Sequence, residues 1–532
     1  MSADQHHEDV KVLHSMGYAQ ELSRRMGAFQ NFAISFSIIC ILAGGITAFP
    51  NAFSAGGGIS IGIGWPLGSA FALLVACAMG QIASAYPTAG GIYHWASILG
   101  GRGWGWAAAW FNLLGLLFVV SSVDYGVYIL FRDLVWHGVF GQDVTGWGNP
   151  HAIIFVGIVT ISQAILNHVG IRATTILTDF SGYLILVVAV VLTLSLLFWA
   201  PTFELGRLFT FSNNTGEPGG SVWPAATSSV YVFGLGLIMA CYTITGFDAS
   251  AHTSEETRNA AHEVPKGMIR SVFWSFVFGY IMVCSFVLAM PSVDEGAKQG
   301  FNQFYWVMEQ TPIPGALKNA LLIGIVIANY LCALAGLTST SRMIFAFSRD
   351  GGLPGISHWV RQVSPTYRTP VNAIWLGAVL CIALGVYVQL SGGNVSTAFI
   401  ALAAGCAVFL YISYLMPVLA GLLTEGKTWN KKGPFDLGGL SKPVAVLAII
   451  GGGILAFIGI QQFVPEDHFP GLEFLHINIV GQIIIYLIVA LVIVWFVLGE
   501  RKRFQGPPLT PEAVAKRQAE IAREEAALGG AG

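Results

Sequence analysis

Long apolar stretches separated by short polar ones dominate this chain. Residues 152–165, 183–199, 273–290 and 483–498 are almost free of charge. A membrane-spanning helix needs about 20 predominantly apolar residues. Hydropathy predicts twelve, near 30–56, 65–88, 103–131, 150–167, 176–199, 226–257, 270–290, 315–346, 370–390, 396–422, 442–463 and 476–498. An even number puts both termini on one side. The fold class expected is an all-α integral membrane protein of twelve transmembrane helices.

Composition sharpens this. Only 10% of the 532 residues are charged, where a soluble fold carries roughly 25%, and mean hydropathy is +0.67. Of the 26 Lys and Arg, all but Arg132, Arg207, Lys298 and Lys318 fall on the side of the N-terminus. The positive-inside rule then makes both termini cytoplasmic, and the membrane expected is the plasma (inner) membrane. The polar first 29 residues lack the apolar core of a signal peptide, so the first span is expected to direct insertion. Cys40, Cys77, Cys241, Cys284, Cys332, Cys381 and Cys406 all lie in apolar segments without a CxxC pair. They read as small buried hydrophobes. Residues 507–532 read as a short solvated helix or tail, and 86–103, with Tyr93 and Trp95, as a helix lying along the membrane interface.

Two spans carry interruptions. The first holds Ala43-Gly44-Gly45 followed by Pro50, and the sixth Thr243-Ile244-Thr245-Gly246 followed by Phe247 and Asp248. Glycine costs about 1 kcal/mol in a helix interior relative to alanine. Unwound backbone at membrane depth is tolerated only inside protein or along a cavity. Spans one and six are five apart, which fits two five-span halves lying inverted in the membrane. Matched interruptions in such halves point to a midplane binding site. There, half-helix amides would receive a carboxylate and freed carbonyls an ammonium group.

The segment GFDASAHTSEETRNAAHEVPKG, from Gly246 to Gly267, and RMIFAFSRDGGLP, from Arg342 to Pro354, closely resemble the amino acid–polyamine–organocation superfamily. The first is especially similar to its amino acid/choline branch, and the resemblance runs from about Met26 to Leu498. It implies a five-plus-five inverted repeat with helices 1 and 6 broken, and alternating access around a central site. The domain layout is then a tail (1–29), a transporter domain (30–498) and a second tail (499–532). Within the domain lie repeat one (about 30–199), repeat two (about 226–422) and two extra helices (about 442–498).

By this resemblance Ala43, Gly44 and Gly45 match the substrate-carboxylate site. Tyr242, Thr243, Thr245 and Gly246 match the amino-group site, with Tyr242 as an aromatic closing over substrate. Asp248 matches the family's acidic position and reads either as gate or coupling residue, or as a carboxylate capping the second half-helix. Asp124 in span three reads as a counter-charge or proton acceptor, or as a partner of Arg132. Thr338 and Ser339 are placed for sodium, as hydroxyls of span eight meeting carbonyls of span one, so Na+ and H+ both stand as coupling ions. Span five has no lysine, against a lysine-based proton mechanism. Glu255, Glu256, Arg258, Glu263 and Lys266, with Arg342, Arg349 and Asp350, read as inner-gate ion pairs or as a solvated loop face. His94 reads as an interfacial histidine.

The sequence lacks GxxxxGK[ST] and any clustered His, Glu, Asp or Cys constellation within the spans, so neither ATP-driven pumping nor an enzyme is expected. No cofactor is called for, and no nucleic acid partner; the partners are a small-molecule substrate and the lipid bilayer. The function expected is secondary active transport of amino acids or related amines such as 4-aminobutyrate. Choline or polyamine transport, with Tyr242, Phe247 and Trp110 able to form an aromatic cage, and a transporter-derived sensor are the alternatives.

Overall fold

The computed structural model describes residues 3–217, 219–220, 222–392, 394–461, 469–472, 474–508 and 511–527. Among them, eleven helices are long and apolar enough to cross a membrane, from Ala28–Thr47 to Ile479–Val497, and a shorter apolar helix runs over Ser229–Thr243. The protein is an all-helical, multi-span membrane protein. Its polarity is arranged for a lipid surround. On Ala173–Phe198 the residues Ile176, Phe180, Tyr183, Val187, Val190, Leu194 and Phe198 are all exposed. Their three- and four-residue spacing makes one apolar stripe. Asn31, Gln81, Asn112, Asp124, Asn167, Asp248, Glu255, Glu256 and Arg342 are buried instead. A solvent without hydrogen-bonding capacity favours that inversion.

Arg102–Leu130 packs lengthwise against Val395–Thr424, and Trp65–Ala85 against Ala260–Leu288. Small residues let the first pair approach closely: a Cβ on Gly115 would lie 2.6 Å from Leu410, and one on Gly405 2.5 Å from Phe118. In lipid such contacts, rather than water exclusion, hold helices together.

The first span is interrupted, but not at its glycines. Helix Ala28–Ile39 ends at Cys40 (φ 24°, ψ 86°), and Ile41–Thr47 starts beyond it with Ala43-Gly44-Gly45 inside. The Cys40 carbonyl accepts from the amides of Ala43 (2.8 Å) and Gly44 (3.1 Å). The chain continues through Ala48 into Phe49–Gly56, with Pro50 in the first turn, where its missing N–H has no helical partner to lose. The predicted sixth span does break where expected. Ser229–Gly236 and Ile238–Thr243 stop at Ile244, Gly246 adopts φ 79°, and only the short helix Ala249–His252 follows before Ser254–Glu256.

Two expectations about the ends change. The segment read as an interfacial helix forms Ile92–Gly100, with Tyr93, His94 and Trp95 fully buried. It packs on Arg102–Leu130 and Val395–Thr424, so its aromatic residues fill the protein rather than the membrane surface. The chain termini also dock. His14 Nε2 lies 2.8 Å from Glu525 Oε1 in helix Pro511–Ala527. Residues 18–26 cross the same end of the bundle, where Met26 donates its N–H to Glu256 O (2.9 Å) and accepts from Arg258 N–H (2.9 Å). Arg24 donates to the carbonyls of Ser254 (3.2 Å) and Thr257 (2.5 Å). Arg24→Ala strips both acceptors of a charged donor at a buried site, with an expected loss of about 2 kcal/mol. Thermal unfolding of the detergent-purified protein should show a lower midpoint; an unchanged midpoint would mean the segment is not anchored there.

Candidate functional site

The two interruptions lie against each other. A Cβ on Gly44 would sit 2.7 Å from Thr243 Cα and 2.5 Å from Thr243 Oγ1, so only glycine admits this approach. On the other side of the break, a Cβ on Gly246 would sit 2.2 Å from Ile38 Cγ2, at a φ that already favours glycine. The last carbonyls of Ile238–Thr243 leave the helical ladder, and that of Tyr242 accepts the Thr245 hydroxyl (2.8 Å).

A cavity of about 10 Å³ separates the breaks, lined among others by Ile38, Ala43, Gly44, Tyr242, Thr243 and Cys332. That is room for a single water. Anything larger requires the broken helices to move apart, and the Ala43 and Gly44 amides to leave Cys40 O before they can bind a carboxylate. Tyr242 covers one side, its hydroxyl 3.2 Å from Ser122 Oγ and its ring edge-on to Phe399. Phe399 in turn lines a cavity of about 330 Å³ with Thr47, Arg132 and Lys298 at the end of the bundle away from the termini.

The other expected residues separate into three places. Asp248 is buried beside the break and accepts from Tyr414 Oη (2.7 Å) and Asn112 Nδ2 (3.1 Å). Its side chain makes no capping bond. Asp124 does not pair with Arg132, which binds Asp133 (2.6 Å); it accepts from Thr160 (2.6 Å) and Gln163 (2.8 Å), away from the cavity lining. Thr338 donates to Asn167 (2.7 Å). The groups of Gly315–Arg349 that reach the first interruption are Cys332, whose thiol lies 3.1 Å from Ile38 O, and the Ala328 carbonyl, 3.8 Å from Cys40 Sγ. Ser339 Oγ is buried without a hydrogen-bond partner. Trp110 and Phe247 do not line the cavity: Trp110 packs on Trp106 and Phe347, and Phe247 on Tyr414.

Residues 26–497 match the family model described as amino acid permease. The chain belongs to the amino acid permease family. It is 32% identical over 454 residues to "Amino-acid permease BAT1" of Arabidopsis thaliana, covering 82% of this chain and 85% of that protein. A rice homologue of that permease is also 32% identical. The "GABA-specific permease" of Saccharomyces cerevisiae is 28% identical over 444 residues, covering 82% of this chain and 75% of that one. The protein is a membrane-embedded amino-acid transporter and not an enzyme.

In this permease two buried ion pairs lie at the end carrying both termini. Glu255 receives Arg349 through both nitrogens (3.0 and 2.8 Å), and Arg342 Nε donates to Glu256 (3.0 Å), all four side chains buried. Arg258 and Lys266 are exposed and half-buried Glu263 pairs with Lys266 (3.2 Å), so these three lie outside the buried cluster. The Arg349 guanidinium lies 4.0 Å over the Tyr18 ring. Asp350 Oδ2 accepts from Tyr18 (2.8 Å), Tyr93 (3.0 Å) and His94 Nε2 (3.0 Å). Burial alone would raise the Asp350 carboxyl, but the hydrogen bond and charge of His94, with Arg349 and Tyr18, outweigh it and hold the group below its ordinary value. Its contribution is thus in full at neutral pH and is lost only as acid passes that depressed value.

Sequence reasoning missed Tyr18, Asn112, Tyr414 and His252. Only His252, four residues after Asp248 and so one helical turn away, carried a signal. Removing one member of a buried ion pair strands the other, at about 3–5 kcal/mol. Glu255→Gln and Arg349→Gln are therefore each expected to lower thermal stability strongly, and the double variant by clearly less than their sum. Strict additivity in that double-mutant cycle would show that the pair does not interact.

Proposed function

We propose that this permease is a secondary active transporter of amino acids or related amines such as 4-aminobutyrate, working by alternating access across the plasma membrane. On this reading the twelve helices form a five-plus-five inverted repeat with two added helices, and both termini are cytoplasmic, as the distribution of Lys and Arg supports. The observation that carries it is the direct contact of the two interruptions at Gly44 and Thr243. Opening that contact would present the amides of Ala43, Gly44 and Gly45 to a carboxylate, and the carbonyls around Tyr242, Thr243 and Thr245 to an amino group.

The buried Glu255–Arg349 and Glu256–Arg342 pairs would be the cytoplasmic gate, closed here. The cavity above Phe399 would be the outer approach. The named relative that handles GABA supports 4-aminobutyrate as one cargo. The central lining contains one aromatic residue, Tyr242, and no carboxylate, which favours a zwitterion over a polyamine or a quaternary ammonium requiring an aromatic cage.

Uptake of radiolabelled alanine, 4-aminobutyrate, choline and putrescine into proteoliposomes, under imposed proton or sodium gradients, tests this. Accumulation of alanine or 4-aminobutyrate is expected. Gly44→Ala, which forces the helices apart by more than a few tenths of an ångström, should reduce it about tenfold or more. Preferred accumulation of choline or putrescine would overturn the substrate class; unimpaired uptake by Gly44→Ala would move the site elsewhere.

A further inference from the structure

A cavity of about 960 Å³ opens at the end of the bundle that carries both termini. Three parts of the chain wall it. Arg102 stands at the start of Arg102–Leu130, Arg361 follows the short helix Ser357–Val360, and Lys502, Arg503 and Lys516 come from the segment after Ile479–Val497. Buried Phe504 packs on Tyr93, Phe347 and Trp495, so residues 500–508 are fastened to the bundle. A Cβ on Gly506 would lie 3.4 Å from Arg102 Cγ, and one on Gly17 2.5 Å from Pro508 Cγ. Helix Pro511–Ala527, which carries Lys516 and Arg517, is held through Glu525, which meets His14 (2.8 Å) and accepts the Gln20 N–H (2.9 Å).

The charges in these walls do not balance. Seven guanidinium and ammonium groups line the cavity against two carboxylates, Asp350 and Glu520. Arg349 is taken by Glu255 (2.8 Å) and Arg517 by Glu520 (2.5 Å), and Arg503 has Glu500 at 3.8 Å. Asp350 is already held by Tyr18, Tyr93 and His94. Among the described residues, Arg102, Arg361, Lys502 and Lys516 have no carboxylate within ion-pair distance. Like charges gathered round one cavity repel, and a cleft lined by one sign concentrates ions of the other.

We propose that this cavity binds an anion bearing two or more phosphate groups. Its volume suits a small ligand. Four uncompensated cations exceed what a single carboxylate neutralises, and guanidinium forks match pairs of phosphate oxygens. Among the described residues no aromatic ring lines the cavity, so it offers no stacking surface for a nucleobase. Arg102 begins one membrane span and Lys502 follows another closely, and basic pockets beside span ends suit anionic headgroups. The phosphates of a lipid headgroup and those of a free polyphosphate share this chemistry. Either one, once bound, ties Lys516 of the terminal helix to Arg102 and Arg361 of the bundle and holds that helix in its docked place.

The test uses the full chain in phosphatidylcholine nanodiscs, with tripolyphosphate binding followed by calorimetry and by the thermal unfolding midpoint. Saturable binding that weakens with added salt is expected, together with a raised midpoint. Arg361→Gln and Lys516→Gln should each weaken binding about tenfold, as loss of one charge-assisted contact implies. Lys431→Gln, at an exposed lysine outside the cavity, should leave it unchanged. Nanodiscs that also contain cardiolipin, whose headgroup carries two phosphates, identify the source. If lipid phosphates fill the site, cardiolipin raises the midpoint of the wild type more than that of Lys516→Gln, and tripolyphosphate is excluded. If a soluble anion fills it, tripolyphosphate binds equally in both kinds of nanodisc. Responses equal in the wild type, Arg361→Gln and Lys516→Gln would overturn the site, as would no response to either probe. Neither readout involves transport, so the result stands apart from the substrate reading above.

Discussion

A helix that stops inside a membrane strands amides and carbonyls that lipid cannot satisfy, and much of this architecture follows from that constraint. The chain stops twice, at Cys40 and at Ile244–Gly246. Each interruption is tolerated because protein closes round it. Cys40 O takes the amides of Ala43 and Gly44, Cys332 covers Ile38 O, Ser35 covers Phe247 O, and Tyr414 covers the Gly246 N–H. Placing the interruptions face to face, with glycine at the point of contact, concentrates the backbone polarity of two helices in one small volume.

The same scarcity of solvation governs the charges. Glu255, Glu256, Arg342 and Arg349 persist as buried ions because each has its partner at hydrogen-bond distance. They gather at the end where residues 18–26 cross the bundle and Tyr18 joins Arg349 to Asp350. The N-terminal segment thus packs over the buried ion pairs, and separating those pairs would also displace that segment.

Much of the fold was legible because membrane helices announce themselves through length and composition. Most of the spans and the break after Thr243 could be read from residue order. The first interruption was misplaced by three residues: the glycines that seemed to mark it instead permit close approach to Thr243, while a cysteine takes the strained turn. The helix around Tyr93 and Trp95 was assigned to the membrane interface because hydropathy cannot distinguish an aromatic facing headgroups from one facing protein. Thr338 was expected to meet span one and bonds Asn167 instead, since rotation about a helix axis leaves its hydropathy unchanged.

By itself, then, the sequence determined that this protein lives in a membrane, roughly where its helices run, and that two of them are interrupted. Those properties reside in the free energy of transfer of each segment into lipid and in the local preferences of glycine, and need no neighbour. Only the tertiary structure decided which charges pair, that Arg258, Glu263 and Lys266 lie outside the buried ion pairs, and that His252 meets Asp248 and Ala89 while Tyr414 bridges Asp248 to Gly246. Those contacts join residues up to 168 positions apart. Their existence depends on helix rotation and depth, which packing against other helices sets and no single segment encodes.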